Sequence, residues 1–182
     1  MSTINAAPTT PNPDAAISHL GGIIRATTDA VRKDRANARV RFTANATAHD
    51  AVASTVRAGK HFVEVDEPPA LGGGSTAPNP VEYYLAAVLS CQVVTYRFWA
   101  DKLGVEIEDI TATAEGDLDV QGFFGLDEAV RPGFGEVRVT VTLTGPESAE
   151  RYAELQEVVD AHCPVLDLTR NPTPVRTVLQ VA

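Results

Sequence analysis

Apolar residues recur along this chain first at helical intervals and then at alternate positions, and the changes of period mark out its elements. After Asp14, the residues Ile17, Leu20, Ile24 and Val31 follow at roughly helical spacing, which predicts a helix with one apolar stripe. Gly21 and Gly22 fall inside that helix and weaken it. From Arg39 the period drops to two. Val40, Phe42, Ala44 and Ala46 share one face, and Arg39, Arg41, Thr43 and Asn45 the other, the pattern of a half-buried strand. Thr55 to Arg57 predicts a second strand, turning through Ala58-Gly59 into a third, His61 to Val65.

Pro68-Pro69 and the run Leu71 to Pro80 (LGGGSTAPNP) break any regular element and read as a flexible connector. Asn79 and Pro80 are suited to the cap and first position of a helix. That helix continues to about Leu103 and ends at Gly104. At ~1.5 Å per residue it exceeds ~30 Å in length, and it is apolar around most of its circumference. A single small domain offers too little surface to bury it, so a dimer with this helix near the interface is expected.

Alternation returns from Val105 to about Val120 and again from Glu136 to Thr144, where Val137, Val139, Val141 and Leu143 oppose Arg138, Thr140 and Thr142. Between them, Gly122 to Gly135 reads as a loop or hairpin tip. Gly145-Pro146 opens a helix through Tyr152, Leu155 and Val159, Cys163-Pro164 opens a short helical turn, and Thr173 to Val181 reads as a final strand. The order of helix, hairpin, long helix, hairpin, helix and strand predicts an α+β fold with antiparallel sheets.

Charge narrows the functions open to such a fold. The 182 residues carry a net charge of −9 with no basic stripe, so no nucleic-acid partner is expected. Residues 1–13 (MSTINAAPTTPNP) lack the features of a secretory signal and read as a disordered tail. No stretch approaches ~18 consecutive apolar residues, so no membrane partner is expected and the cytoplasm is the default location. In a reducing compartment, the two cysteines are read as catalytic, redox-active or buried rather than as a permanent disulfide.

Cys91 lies in the middle of the long helix, on a face with Tyr84, Val88, Thr95 and Phe98, where a small core hydrophobe is the competing role. Cys163 precedes Pro164 at the start of a short helix, where free N–H groups and the helix dipole lower a thiol pKa. By position, then, Cys163 is expected to be the more acidic thiol and Cys91 the more hidden one. Their separation excludes a CxxC redox motif, and with His19, His49, His61 and His162 they match no metal-ligand spacing. No metal or other cofactor is expected.

The segment Asn79-Pro80-Val81-Glu82-Tyr83-Tyr84-Leu85-Ala86-Ala87-Val88-Leu89-Ser90-Cys91 resembles the N-P-x-E-x-L-L-A-A-L-x-x-C stretch of the OsmC/Ohr family. His162-Cys163-Pro164-Val165 resembles its second cysteine region, and Asp66-Glu67-Pro68 before the Gly-rich loop its OsmC-like branch. The resemblance implies an intertwined homodimer with β-sheets around a long central helix. It divides the chain into a tail (1–13), an N-terminal helical extension (14–37) and an OsmC-like domain (38–182). It also implies a peroxidase chemistry in which Cys91 attacks an organic hydroperoxide and Cys163 resolves the product as a disulfide, which an external dithiol then reduces.

Two features depart from the peroxidase pattern. The family Glu after the helix-opening Pro is Val81 here, and the nearest acid is Glu82. In a straight helix Glu82 faces away from Cys91 and lies more than ~10 Å along the axis, so a catalytic role needs an unwound first turn or the partner's site. Its competing role is helix capping. The family Arg belongs near the end of the first strand, where the chain reads Ala48-His49-Asp50-Ala51-Val52; Arg39, Arg41 and Arg57 are the possible substitutes. The Gly-rich loop lacks the Lys of a phosphate-binding loop. Tyr83, Tyr84, Tyr96, Phe98 and Trp99 are expected to pack the core and interface; the alternative is that a subset lines an apolar pocket, with Phe123-Phe124 either capping it or anchoring the loop tip. Against the hydroperoxide reductase stand a dimeric binding or sensing protein that takes a small apolar ligand, and a different thiol chemistry such as group transfer.

Overall fold

A computed structural model of the chain describes residues 13–181, so the tail expected at residues 1–13 lies almost wholly outside it. The first helix, α1, runs Pro13–Lys33, and Asp34 caps a short 3-10 turn after it. Three strands follow, β1 (Ala44–His49), β2 (Ala53–Ala58) and β3 (His61–Val65), antiparallel in the order β1-β2-β3. The long helix α2 spans Pro80–Leu103. Then come β4 (Asp109–Asp117), a short helix α3 (Val120–Phe124), β5 (Glu136–Thr144), α4 (Ala149–His162) and α5 (Pro164–Arg170). β4 and β5 form a two-stranded antiparallel sheet in which Ile110 faces Leu143 and Ala112 faces Val141.

The ends of α2 follow from local chemistry. Asn79 accepts a hydrogen bond from the Glu82 N–H at 2.9 Å, and the Glu82 carboxylate accepts from the Asn79 N–H at 2.8 Å, closing a capping box. Gly104 ends the helix with φ 64°, a left-handed conformation that costs glycine little.

The core lies between the C-terminal half of α2, α4 and the β4–β5 sheet. Tyr96 and Ala100 meet Leu155 and Val159 of α4, and Val105 and Ile107 join them from the loop after α2. Trp99, Ile110, Val141, Leu143 and Tyr152 pack around this cluster. Two hydrogen bonds tie α4 to that loop, from the Glu106 N–H to Glu147 (3.0 Å) and from the Tyr152 hydroxyl to the Glu106 carbonyl (2.9 Å).

Four expectations change. Alternation from Arg39 does not begin a strand there: β1 starts at Ala44, because β2 ends at its partner Ala58, the Gly59 N–H reaches back to the Thr43 carbonyl at 3.3 Å, and no described segment pairs with residues 39–42. For the same reason Thr173 to Val181 forms no strand in the protomer, and Val175, Leu179 and Val181 are exposed. A strand needs a neighbour to accept its backbone hydrogen bonds, which an alternating pattern alone does not provide. The strand expected from Val105 starts at Asp109, since Val105 and Ile107 are pulled into the helical core, and it stops at Asp117 before Asp119 caps α3.

The fourth change concerns the stretch before α2, which is tied by its own side chain. Asp66 is buried, and its carboxylate accepts from the N–H groups of Glu67 (2.8 Å), Gly74 (3.0 Å) and Thr76 (3.0 Å) and from the Thr76 hydroxyl (2.9 Å). These bonds hold its pKa down at about 2, the Thr76 amide making the largest contribution. Gly73 fits so close to the Glu67 carbonyl that any side chain there would collide with it. The Asp66 N–H also donates to the Pro78 carbonyl at 3.4 Å, so this compact turn leads straight into the cap of α2.

Candidate functional site

The two cysteines, 72 positions apart in sequence, meet where α2 passes the α4–α5 corner. Cys91 is half-buried in the middle of α2. At ~100° per residue, the buried residues Thr95, Val88 and Gln92 lie successively further round the helix to one side of it, while exposed Ala87, Val94 and Ser90 lie to the other. Cys91 thus stands on the border between the protomer's interior and an exposed, mostly apolar face. Cys163 is the single residue between α4 and α5 and is fully buried. Its N–H donates to the Val159 carbonyl and its carbonyl accepts from Asp167, both at 2.9 Å, so backbone bonds on either side fix its position.

The Cys163 side chain has Cys91 and Thr95 as its neighbours. Its pKa is raised, first because burial penalises the thiolate and further because Cys91 is its neighbour; the Leu166 amide and Thr95 pull the other way without offsetting burial. Thr95 adds a constraint of its own. Its hydroxyl donates to the Cys91 carbonyl at 2.7 Å, and its place beside the Cys163 thiol counters part of the rise that burial causes. The expectation from position is therefore overturned: Cys163 is the hidden thiol, with its pKa raised rather than lowered, and Cys91 is the more accessible one. The helix-start argument fails because the Cys163 side chain makes no capping hydrogen bond and burial dominates.

Other contacts hold the corner in register. The Tyr84 hydroxyl, two turns before Cys91, donates to Thr169 Oγ1 at 3.1 Å, and Thr169 donates to the Val165 carbonyl at 2.7 Å, linking α2 to α5. Trp99 packs against the His162 ring, their centroids 4.4 Å apart, and His162 Nδ1 is 2.7 Å from the Val158 carbonyl. Thr95, which touches both cysteine sites, is the residue that sequence reading undervalued. Its only signal was a hydroxyl four positions after a cysteine on an apolar helix face.

Glu82 is not brought to Cys91. The first turn of α2 is intact, Glu82 is exposed, and its carboxylate is committed to the capping box about 13 Å along the helix. Nor do the candidate cations converge on the thiols by any hydrogen bond or ion pair among the described residues. Arg57 donates to the Gly59 carbonyl at 3.0 Å within its own hairpin, and Arg39 and Arg41 precede β1, exposed. The end of β1 holds His49 instead, 3.3 Å from both Asp50 and Glu64, and those hydrogen bonds raise its pKa. The Thr55 hydroxyl donates to the same Glu64 carboxylate, at 2.9 Å to its nearer oxygen.

A cavity of about 460 Å³ opens beside the N-terminal half of α2, lined by Val81, Tyr84, Arg131, Phe134, Val137 and Thr169 among others. Phe123 and Phe124 cap a different hollow, of about 410 Å³, against Val52 and Leu71 and away from the cysteines. Among the described residues, no cluster of three or more His, Cys, Asp or Glu side chains is arranged to hold a metal ion. No described helix is long and apolar enough to cross a membrane.

The fold has relatives among solved structures. An OsmC-like protein from Mycoplasma pneumoniae is 14% identical and superposes with a TM-score of 0.63 over 72% of this chain and 88% of its own. An organic hydroperoxide resistance protein from Legionella pneumophila, also described as a predicted redox protein, is 24% identical with a TM-score of 0.56 over 72% and 90%. An organic hydroperoxide resistance protein from Elizabethkingia anophelis, with thiocyanate bound, is 24% identical with a TM-score of 0.58 over 72% and 89%. At such identities the likeness establishes the fold. No curated protein matches in sequence. The sequence pattern of OsmC-like proteins, however, matches residues 72–178, which hold α2, both cysteines and more than half of the chain. The chain belongs to the OsmC-like family.

Proposed function

We propose that this protein is a thiol-dependent hydroperoxide reductase in which Cys91 attacks and Cys163 resolves. The observation that carries the reading is the meeting of a half-exposed thiol with a fully buried one at a rigid helix corner. Cys91, as thiolate, attacks the distal oxygen of an organic hydroperoxide: an S–O bond forms, the O–O bond breaks, and the alkoxide takes a proton and leaves as the alcohol. The Cys163 sulfur then displaces hydroxide from the Cys91 sulfenic acid, giving a disulfide and water. An external dithiol returns both thiols by exchange, in the reducing cytoplasm that this reading assumes. Burial suits Cys163 to the second step, since a protonated, enclosed thiol competes poorly for the peroxide. Tyr84 is about 10 Å along α2 from Cys91. The 460 Å³ cavity beside it is sized for the organic group of the substrate.

The reading includes an intertwined homodimer. It is supported by exposed Val40, Phe42, Phe62, Val94, Val175 and Leu179, which water alone would cover in a monomer. Residues 39–42 and 173–181, extended in pattern but in no strand of the protomer, are suited to add to a partner's sheet. Light scattering on the purified chain should give twice 19.3 kDa. A mass of 19.3 kDa at micromolar concentration would remove this part of the reading.

One equivalent of an organic hydroperoxide should remove two hydrogens from the intact chain in non-reducing mass spectrometry, joining Cys91 to Cys163. Cys163→Ser should stop at a sulfenic acid on Cys91, and Cys91→Ser should leave the peroxide unconsumed. A second reading, a catalytically weak binding or sensing protein of the same fold, is favoured by the capping role of Glu82 and the position of Val81. It predicts that both thiols survive excess peroxide and that the protein purifies with a small apolar molecule.

A further inference from the structure

On the flank of α2's buried face away from Cys91, a separate cavity of about 220 Å³ lies between α2, β5, α4 and α5. Val88, Gln92 and Tyr96 line it, four residues apart and so on one strip of α2, and the valines of β5 form its floor. It shares Val137 and Thr169 with the 460 Å³ cavity beside Tyr84, and neither cysteine contributes to its lining. The lining is mixed: Val88, Leu166 and the β5 valines face Gln92, Tyr96, Gln156 and Thr169. Gln92 is 3% exposed and Tyr96 2% exposed, yet neither side chain hydrogen-bonds to another described residue. Among the described residues no fully enclosed side-chain nitrogen or oxygen lacks a partner, so the polar ends of these two residues are reachable by solvent; Gln92 lines this cavity, and Tyr96 lines both it and the neighbouring hollow against Tyr152. At its rim Arg170 pairs with Asp160 at 3.1 Å, so neither charge is left over for a ligand ion.

We propose that this cavity is a binding site for a small neutral molecule with an apolar ring or branched body and one hydroxyl or amide group. The size follows from comparison with cavities of ~150 Å³ that hold a benzene ring. The head group follows from Gln92, which offers both a donor and an acceptor, and from the Tyr96 hydroxyl, each needing a complement once water is excluded. Neutrality follows from the Asp160–Arg170 pair, because the two rim charges offset each other and give an ion of either sign no net attraction. This site is independent of the thiol reading and adds a ligand that the peroxide chemistry does not use.

The test is an amide NMR titration of the full chain with phenol, toluene and benzoate. Phenol should saturate and shift signals around Gln92, Tyr96 and Val139, with toluene and benzoate at least about tenfold weaker. Gln92→Leu and Tyr96→Phe should each weaken phenol by about tenfold while the remaining spectrum stays native. Should either variant misfold, the ranking of the three probes on the unaltered chain decides the matter alone. Cys91→Ser should bind phenol unchanged, which separates this site from the thiols. No saturation by phenol, toluene equal to phenol, shifts confined to another surface, or undiminished binding in a folded Gln92→Leu would each overturn the proposal.

Discussion

Asp66 shows how much one side chain governs in this protein. Four donors converge on its carboxylate, and the loop they organise delivers the chain to the cap of α2. Its folded pKa of about 2 lies below the unfolded value of about 3.9, so its contribution to stability is complete above that unfolded value and fades as pH falls through about 2. Asp66→Asn should therefore lower the melting temperature clearly at neutral pH, with the gap from the unaltered chain closing as pH approaches 2; calorimetry at several pH values checks it. His49 has the opposite sign. Its raised pKa means its links to Asp50 and Glu64 stabilise the fold below about pH 6.5 and weaken as pH rises through the folded value. Being exposed, it contributes little, and His49→Gln should shift stability only on the acidic side. Thr95 and Cys163 complete the residue scale: Thr95 donates to the Cys91 carbonyl beside a fully buried Cys163 sulfur whose pKa is raised first by burial.

The elements differ in how plainly the sequence announces them, and the difference is physical. Helix α2 was legible because its signals are local: Asn79, Pro80 and Glu82 at one end and Gly104 at the other act within a turn of themselves. Asn79→Ala should accordingly cost about 1 kcal/mol in chemical denaturation, as loss of a cap usually does. The β5 alternation was equally legible, since β4 lies beside it in the same protomer. Residues 39–43 and 173–181 carry alternation of similar quality without forming strands, because pairing depends on a neighbour that the pattern does not specify. The site divides along the same line. Both cysteines and the capping alternative for Glu82 could be read from motif and spacing. Which thiol is hidden depends on the packing of α4 and α5 around Cys163, and no count along the chain contains that.

Across the whole molecule, a modest core supports an unusually exposed apolar surface. Leu155 and Val159 are fully buried against α2, and Leu155→Ala should destabilise the protomer by about 2–5 kcal/mol in denaturant titration. By contrast the β1–β3 sheet is joined to α2 chiefly at its near end, where Asp66 bonds to Pro78 and the Tyr83 hydroxyl donates to the Glu64 carbonyl at 2.7 Å. That division, a packed helical half and a sheet with open edges, is the architectural case for the proposed homodimer. It also places Cys91 on the border of the exposed α2 face, where a second protomer would complete its surroundings. The central claim, that the two thiols form one redox pair, is tested most directly by non-reducing mass spectrometry after one equivalent of organic hydroperoxide. The account predicts a single product lighter by two hydrogens, with Cys91 and Cys163 joined in one peptide pair. Two free thiols after minutes in excess peroxide would contradict it.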